Sequence, residues 1–246
     1  MNAHDVDIWI SIDKTYAKED VRGKLEAKLE NFGVKFHEYS ESDMLDAYPI
    51  LEQILTSNEI FDRVYEFKRK THSLAWGFHT EAINLWHNYA KSLGKVYDYI
   101  WVSEDDIGFT GNISSLIIEE YGKNKADLLL DDAKPFLIWW FWHDAGSDRY
   151  LEKIPLRKRQ WGKEHIQRFS KRYLEYLHEA SVEGITAWSE QSVPSLCRYK
   201  GFVCEQLRKD SIGYPFDWRG RIDEDDWEGL LADPDSQNQL FYALKF

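Results

Sequence analysis

The stretch that decides the fold is YDYIWVSEDDIGFTGN, residues 97–112. Its first half is apolar and rich in β-formers, which predicts a buried strand. It then runs directly into three consecutive carboxylates, Glu104, Asp105 and Asp106. Like charges so close repel one another. In most loops such a run is simply solvated, and at a helix N-terminus it complements the dipole. After a strand it reads differently, because in α/β sheets ligands bind beyond the carboxyl ends of the strands.

The surroundings of this stretch set the fold class. Upstream, VDIWISI (6–12) reads as a strand, Asp20 as the cap of a helix carrying Val21, Leu25 and Leu29, Gly33 as its stop, and VKFHEY (34–39) as the next strand. Leu74, Phe78, Ala82, Leu85, Trp86, Tyr89 and Leu93 trace one face of a long helix that ends at Gly94. Downstream, Asn112 is placed to cap a short helix with Ile113, Leu116 and Ile117 inward and Gly122 as its end, and ADLLL (126–130) reads as another strand. This alternation predicts an α/β fold, Rossmann-like, with a mostly parallel central sheet flanked by helices. From Asp131 onward the pattern fades into PFLIWWFWHD (135–144), a basic loop LRKRQWGK (156–163), a helix with the stripe Ile166, Phe169, Tyr173, Leu174 and Leu177, and a tail containing DEDDWE (223–228). With no linker, repeat or low-complexity tract, one domain over 1–246 is expected, with 1–130 and 131–246 as its two halves.

The chain has 246 residues, 43% of them apolar and 15% aromatic, enough for a substantial core. Lys plus Arg is 31 against 43 for Asp plus Glu, a formal net charge of -12, which disfavours nucleic acid and anionic membrane surfaces as partners. No apolar run approaches the roughly 20 residues that span a bilayer, and the start MNAHDVDIWI has no signal-peptide character. A cytoplasmic protein is expected. Cys197 and Cys204 are the two cysteines, read as reduced thiols with a single bridge as the alternative.

On an extended segment residues two apart point the same way, so Glu104 and Asp106 are expected to converge while Asp105 turns away. Two hard oxygen donors suit Mg²⁺ or Mn²⁺, ions that keep open positions for phosphate oxygens, and cation binding would offset the repulsion within the cluster. The strand ending in WVSEDDIGFTGN, the short helix and ADLL together resemble the glycosyltransferases of GT-A fold, whose DXD-type motif occurs in an E-D-D form. ITAWSEQSVPSLC (185–197) is similar to a segment of a group of nucleotide-sugar transferases from algae, plants and large algal viruses.

The resemblance implies that Asp106 binds the metal, that Glu104 and Asp105 hold its waters or the donor ribose, and that Ser11 and Asp13 lie near the nucleotide base. His143 is a candidate to complete the metal shell, with His165 and His178 as rivals. The basic runs at Lys68, Arg69 and Lys70 and at Arg157, Lys158 and Arg159 read either as phosphate contacts, Lys70 above all, or as solubilising loops. In PFLIWWFWHD the rings of Trp140 and Trp142 are suited to a sugar face or to a core, and DEDDWE to a solvated surface.

The expected function is a metal-dependent, inverting glycosyltransferase that carries a sugar from a UDP or GDP donor to a carbohydrate hydroxyl. Glu190 is its expected base, and Asp144 and Asp148 are the fallback bases. The alternatives are a metal-dependent phosphohydrolase and a non-enzymatic sugar-binding module.

Overall fold

The computed structural model describes residues 6–17, 19–56, 74–135, 151–216 and 221–245. β1 (Trp9–Asp13) and β2 (Lys35–Tyr39) pair in parallel through α1 (Val21–Leu29), which Asp20 caps by accepting from the Gly23 amide. Gly33 stops this unit as expected, at a φ of +62° that other residues rarely adopt. Ser40 opens α2 (Glu41–Ala47) in a capping box with Asp43, and α3 (Ile50–Thr56) follows. Met44, Tyr48, Leu51 and Ile54 from this region form a core cluster with Leu74, Phe78, Ala82 and Trp188.

The long helix is α4 (His79–Ser92), and β3 (Tyr99–Ser103) comes next, both close to where the sequence puts them. β4 (Ile107–Phe109) lies just past the acidic triplet. The short helix forms as a π-helical turn, Ser115–Glu120, with Leu116 buried and Ile113 exposed. β5 (Leu128–Pro135) continues the predicted ADLLL strand.

The first correction concerns the next element. A helix was expected through Ile166 and Phe169, but Gln160–Ser170 is an eleven-residue strand, β6, and α5 (Lys171–Val182) starts only after Ser170 caps it by accepting from the Tyr173 amide. The cause is burial on both faces. Glu164 through Ser170 are all buried, so the strand shows no polar alternation, and its apolar positions run on into α5 at a helix-like spacing.

β6 also overturns the mostly parallel, Rossmann-like sheet. It lies antiparallel between β3 and β5, while β7 (Cys204–Gln206) joins the far side of β5 in parallel, giving the order β3-β6-β5-β7. β8 (Ile212–Phe216) and β9 (Leu240–Tyr242) build a further sheet with β4, in the order β4-β9-β8. The described strands thus form three separate sheets, two of them mixed, and this is not the GT-A architecture that the resemblance implies.

α6 (Ser189–Lys200) packs across β6, and the main core cluster gathers Trp86, Leu128, Phe169, Tyr173, Leu196 and their neighbours. α7 (Glu224–Ala232) carries DEDDWE as an exposed, acidic first turn behind the cap Asp223, in keeping with the solvated surface expected of it. Cys197 and Cys204 are joined in a disulfide that ties the last turn of α6 to β7, which corrects the expectation of free thiols. No helix among the described residues is long and apolar enough to cross a membrane.

One polar side chain is deeply placed in this framework. Arg168 of β6 is 2% exposed, and its guanidinium donates to the carbonyls of Tyr121 (2.9 Å), Asn124 (3.3 Å) and Ala126 (3.0 Å) and to Asn124 Oδ1 (2.7 Å). It also lies 4.3 Å from the ring centroid of Tyr99. It thereby holds the turn that leads into β5.

Candidate functional site

The pairing of β5 with β6 breaks at one place. Leu130 faces Gln167 and Asp132 faces Lys163, so Asp131 alone stands opposite Glu164, His165 and Ile166. Such bulges redirect side chains and are frequent beside active sites. On the other edge of β6 the ladder with β3 ends at Ser103 and Ile166, after which the Glu104 amide still donates to the His165 carbonyl at 3.0 Å. The end of β3, where the carboxylate run starts, therefore meets the bulge.

Two histidine–carboxylate pairs form there. His165 Nδ1 is 2.9 Å from Glu104 Oε2, and His79 Nδ1 is 3.3 Å from Glu164 Oε2. His79 is the first residue of α4, and the start of α6 is bound to it. The Thr80 amide donates to Ser189 Oγ (3.2 Å), and the Ser189 amide donates to the Gly77 carbonyl (2.9 Å). Gly77 is needed for this approach, since a Cβ there would come within 2.6 Å of the Trp188 ring. Glu190 follows in the first turn of α6, within electrostatic reach of His79.

From the third sheet Tyr242 lays its ring on His165, with centroids 3.8 Å apart. Lys245, just beyond it, forms an ion pair with Asp106.

The environment sorts the titratable groups. Burial opposes a charged His79, but the hydrogen bond to Glu164 and the charges of Glu164, Glu104 and Glu190 outweigh it and raise the imidazole to about 9. Its side chain keeps 27% of its surface exposed, so a ligand can reach it. Asp131 goes the other way from an ordinary acid: burial raises it to about 7, against the pull of His165 and Lys163. Glu104, although burial opposes its charge, is held below the usual range by His165, His79 and Lys245. Burial and the charges of Glu104, Asp106, Glu190 and Asp131 push the Tyr242 phenol up.

Asp131 also makes a stability prediction. Its carboxyl is raised from 3.8 to about 7, so the folded chain holds a proton that the unfolded chain releases. The stabilisation is complete below the lower value and is lost as pH rises through the upper one. Asp131→Asn should flatten the fall in urea-unfolding free energy between about pH 4 and 7. An unchanged slope would show that Asp131 titrates like an ordinary carboxylate.

Several expected site residues lie elsewhere. Lys70, His143, Asp144, Asp148 and the Trp-rich segment around Trp140 and Trp142 fall outside the described residues. Ser11 Oγ is 3.0 Å from His37 Nδ1, and Asp13 accepts from the amide (2.8 Å) and the hydroxyl (2.5 Å) of Thr15, so both have local structural partners. His178 is bonded to the Tyr48 hydroxyl at 2.7 Å. Asp105 is exposed in the turn between β3 and β4.

Glu104 and Asp106 do not converge on a common point as expected. The chain turns at Asp105 and Asp106, which cancels the two-residue alternation, and the two carboxylates go to different partners, that of Glu104 to the His165 imidazole ring and that of Asp106 to the Lys245 ammonium. Among the described residues no three His, Cys, Asp or Glu side chains are grouped as a metal ion requires.

Of the residues at this place, the sequence singles out Glu104 and Asp106 as expected metal or donor ligands and Glu190 as an expected base, with His165 only as a rival ligand. It does not single out His79, Asp131, Glu164 or Tyr242. The adjacent Glu164 and His165 inside a buried strand were the available signal, since charged residues are rarely buried without a partner.

With three separate sheets, and with Glu104 and Asp106 turned to different partners, a metal-dependent nucleotide-sugar transferase of GT-A fold is not supported, and neither is the reading of the triplet as its DXD motif. No known family model matches this sequence, and no curated protein is detectably similar to it.

Proposed function

We propose that the β6 bulge is a general acid–base centre acting on a neutral, hydroxyl-bearing substrate. The observation that carries this reading is the position of Tyr242, stacked on His165 and subject to the charges of Glu104, Asp106, Asp131 and Glu190 together. Clusters of perturbed titratable groups mark functional sites, and groups whose values are driven apart divide into acid and base. His79, protonated at neutral pH and partly exposed, is the acid. Asp131 is the base, because its proton exchanges near neutrality. The charges of Glu164, Glu104 and Glu190 keep His79 protonated, and His165 and Tyr242 form the wall beside it.

The charge balance argues for the substrate class. Glu104, Asp106, Asp131, Glu164 and Glu190 exceed the nearby cations, so a nucleoside diphosphate would be repelled, whereas hydroxyl groups find acceptors. A carbohydrate hydroxyl, the acceptor anticipated from the sequence, remains a suitable ligand in this reading.

The test uses a panel of aldoses, ketoses and aryl glycosides. Binding is followed through the imidazole resonances of His79 and His165. Turnover is followed as deuterium uptake from D₂O or release of the aryl alcohol. A turned-over probe should give a bell-shaped kcat/KM profile whose limbs lie near 7 and 9, the values of Asp131 and His79. If no probe moves either histidine signal, the reading fails.

A further inference from the structure

Two residues after His79, helix α4 carries a carboxyl group that the acid–base scheme does not use. Glu81 is completely buried, and its Oε1 accepts from Ser181 Oγ and from Thr186 Oγ1, both at 2.7 Å. Ser181 ends α5, and Thr186 lies in the connection that leads into α6. The same connection is held a second time at Ser189, through the Thr80 amide and the Gly77 carbonyl, and Glu190 comes directly after it. The segment that delivers Glu190 therefore hangs on α4 at two points, one at the helix start and one at Glu81.

We propose that Glu81 is a positioning residue, whose carboxyl pins the connection between α5 and α6 to α4 and so keeps Glu190 beside His79. The titratable groups facing it are Glu164 from β6 and Tyr48 from the end of α2, and neither brings a compensating positive charge. Burial and the repulsion from Glu164 raise the carboxyl to about 7, against the two hydroxyl hydrogen bonds. Oε2 has no hydrogen-bond partner, and a neutral acid with two hydroxyl donors on Oε1 costs less to bury there than a bare carboxylate. The importance of the contact for catalysis rests on the acid–base reading of His79, but its test needs no substrate.

Glu81→Leu removes the acceptor. Amide hydrogen exchange in 183–192 should quicken about tenfold while β6 keeps its protection. The His79 imidazole should titrate slightly below about 9 as Glu190, the weakest of the charges that raise it, moves away, while Glu164 and Glu104 still hold it above its ordinary 6.5. Glu81→Gln, which retains an acceptor oxygen of the same shape, should restore both readings. Thr186→Val combined with Ser181→Ala leaves Glu81 in place and removes its donors, so it covers the case in which the leucine variant does not fold, and the same two changes are expected.

A His79 midpoint unchanged in both altered forms, or a uniform rise in exchange across β6 and α5, would overturn the proposal. Failure of every sugar probe to bind would remove the acid–base reading and leave these outcomes intact.

Discussion

Arg168→Met is expected to lower the unfolding free energy by about 3–5 kcal/mol, because several buried acceptors lose their donor at about 1–3 kcal/mol each. Methionine nearly fills the volume, so the effect comes from the carbonyls of Tyr121, Asn124 and Ala126, which lose their donor inside the protein. Each such loss costs about 1–3 kcal/mol. The guanidinium is also lost from the face of Tyr99. Urea unfolding gives the result directly, with the midpoint falling and the slope unchanged. Arg168→Ala should cost more, because it adds a cavity. A loss below about 1 kcal/mol for the methionine variant would mean that water replaces the guanidinium without penalty.

His79→Gln carries the largest expected effect on chemistry. If His79 is the acid, kcat on any probe turned over should fall by about 10² to 10⁴, and the alkaline limb near 9 should disappear while the acidic limb near 7 remains. Glutamine keeps a donor for Glu164, whose side chain is only 5% exposed, so the fold should tolerate the change better than His79→Leu. Measuring both variants separates the two roles of the imidazole. A glutamine variant with an intact alkaline limb would assign that limb to another group.

The sequence reveals the first half of the fold better than the second for a physical reason. β1, α1, β2, α4 and β3 lie close to where period and caps place them: α4 buries one face and its polar residues record the other, and α1 is marked by its Asp20 cap and the Gly33 stop. β6 is covered on both sides and records nothing of the kind. Its charged residues have their partners inside the protein, Arg168 in carbonyls and Glu164 in His79, so in the sequence they read as loop or helix surface. Misreading that strand cost the topology, since it runs antiparallel through the middle of the main sheet.

The site was half legible for a related reason. Glu104 and Asp106 stand out as a run, and Glu190 as an acid behind an apolar stretch. Asp131 becomes unusual only through a bulge, which is a property of two strands. Tyr242 and Lys245 reach the site only through a sheet closed across more than a hundred residues of chain.

That last closure governs how the protein can be made. Domains emerge from the ribosome N-terminal part first. β4 leaves with its acidic turn long before β9 exists to cover it, and until then His165 lacks its aromatic lid and Asp106 lacks its lysine. A nascent chain halted before Leu240 therefore carries the histidine–carboxylate pairs without the wall that gives the centre its charge pattern. The arrangement closes only once the strand Leu240–Tyr242 and the lysine behind it have been made.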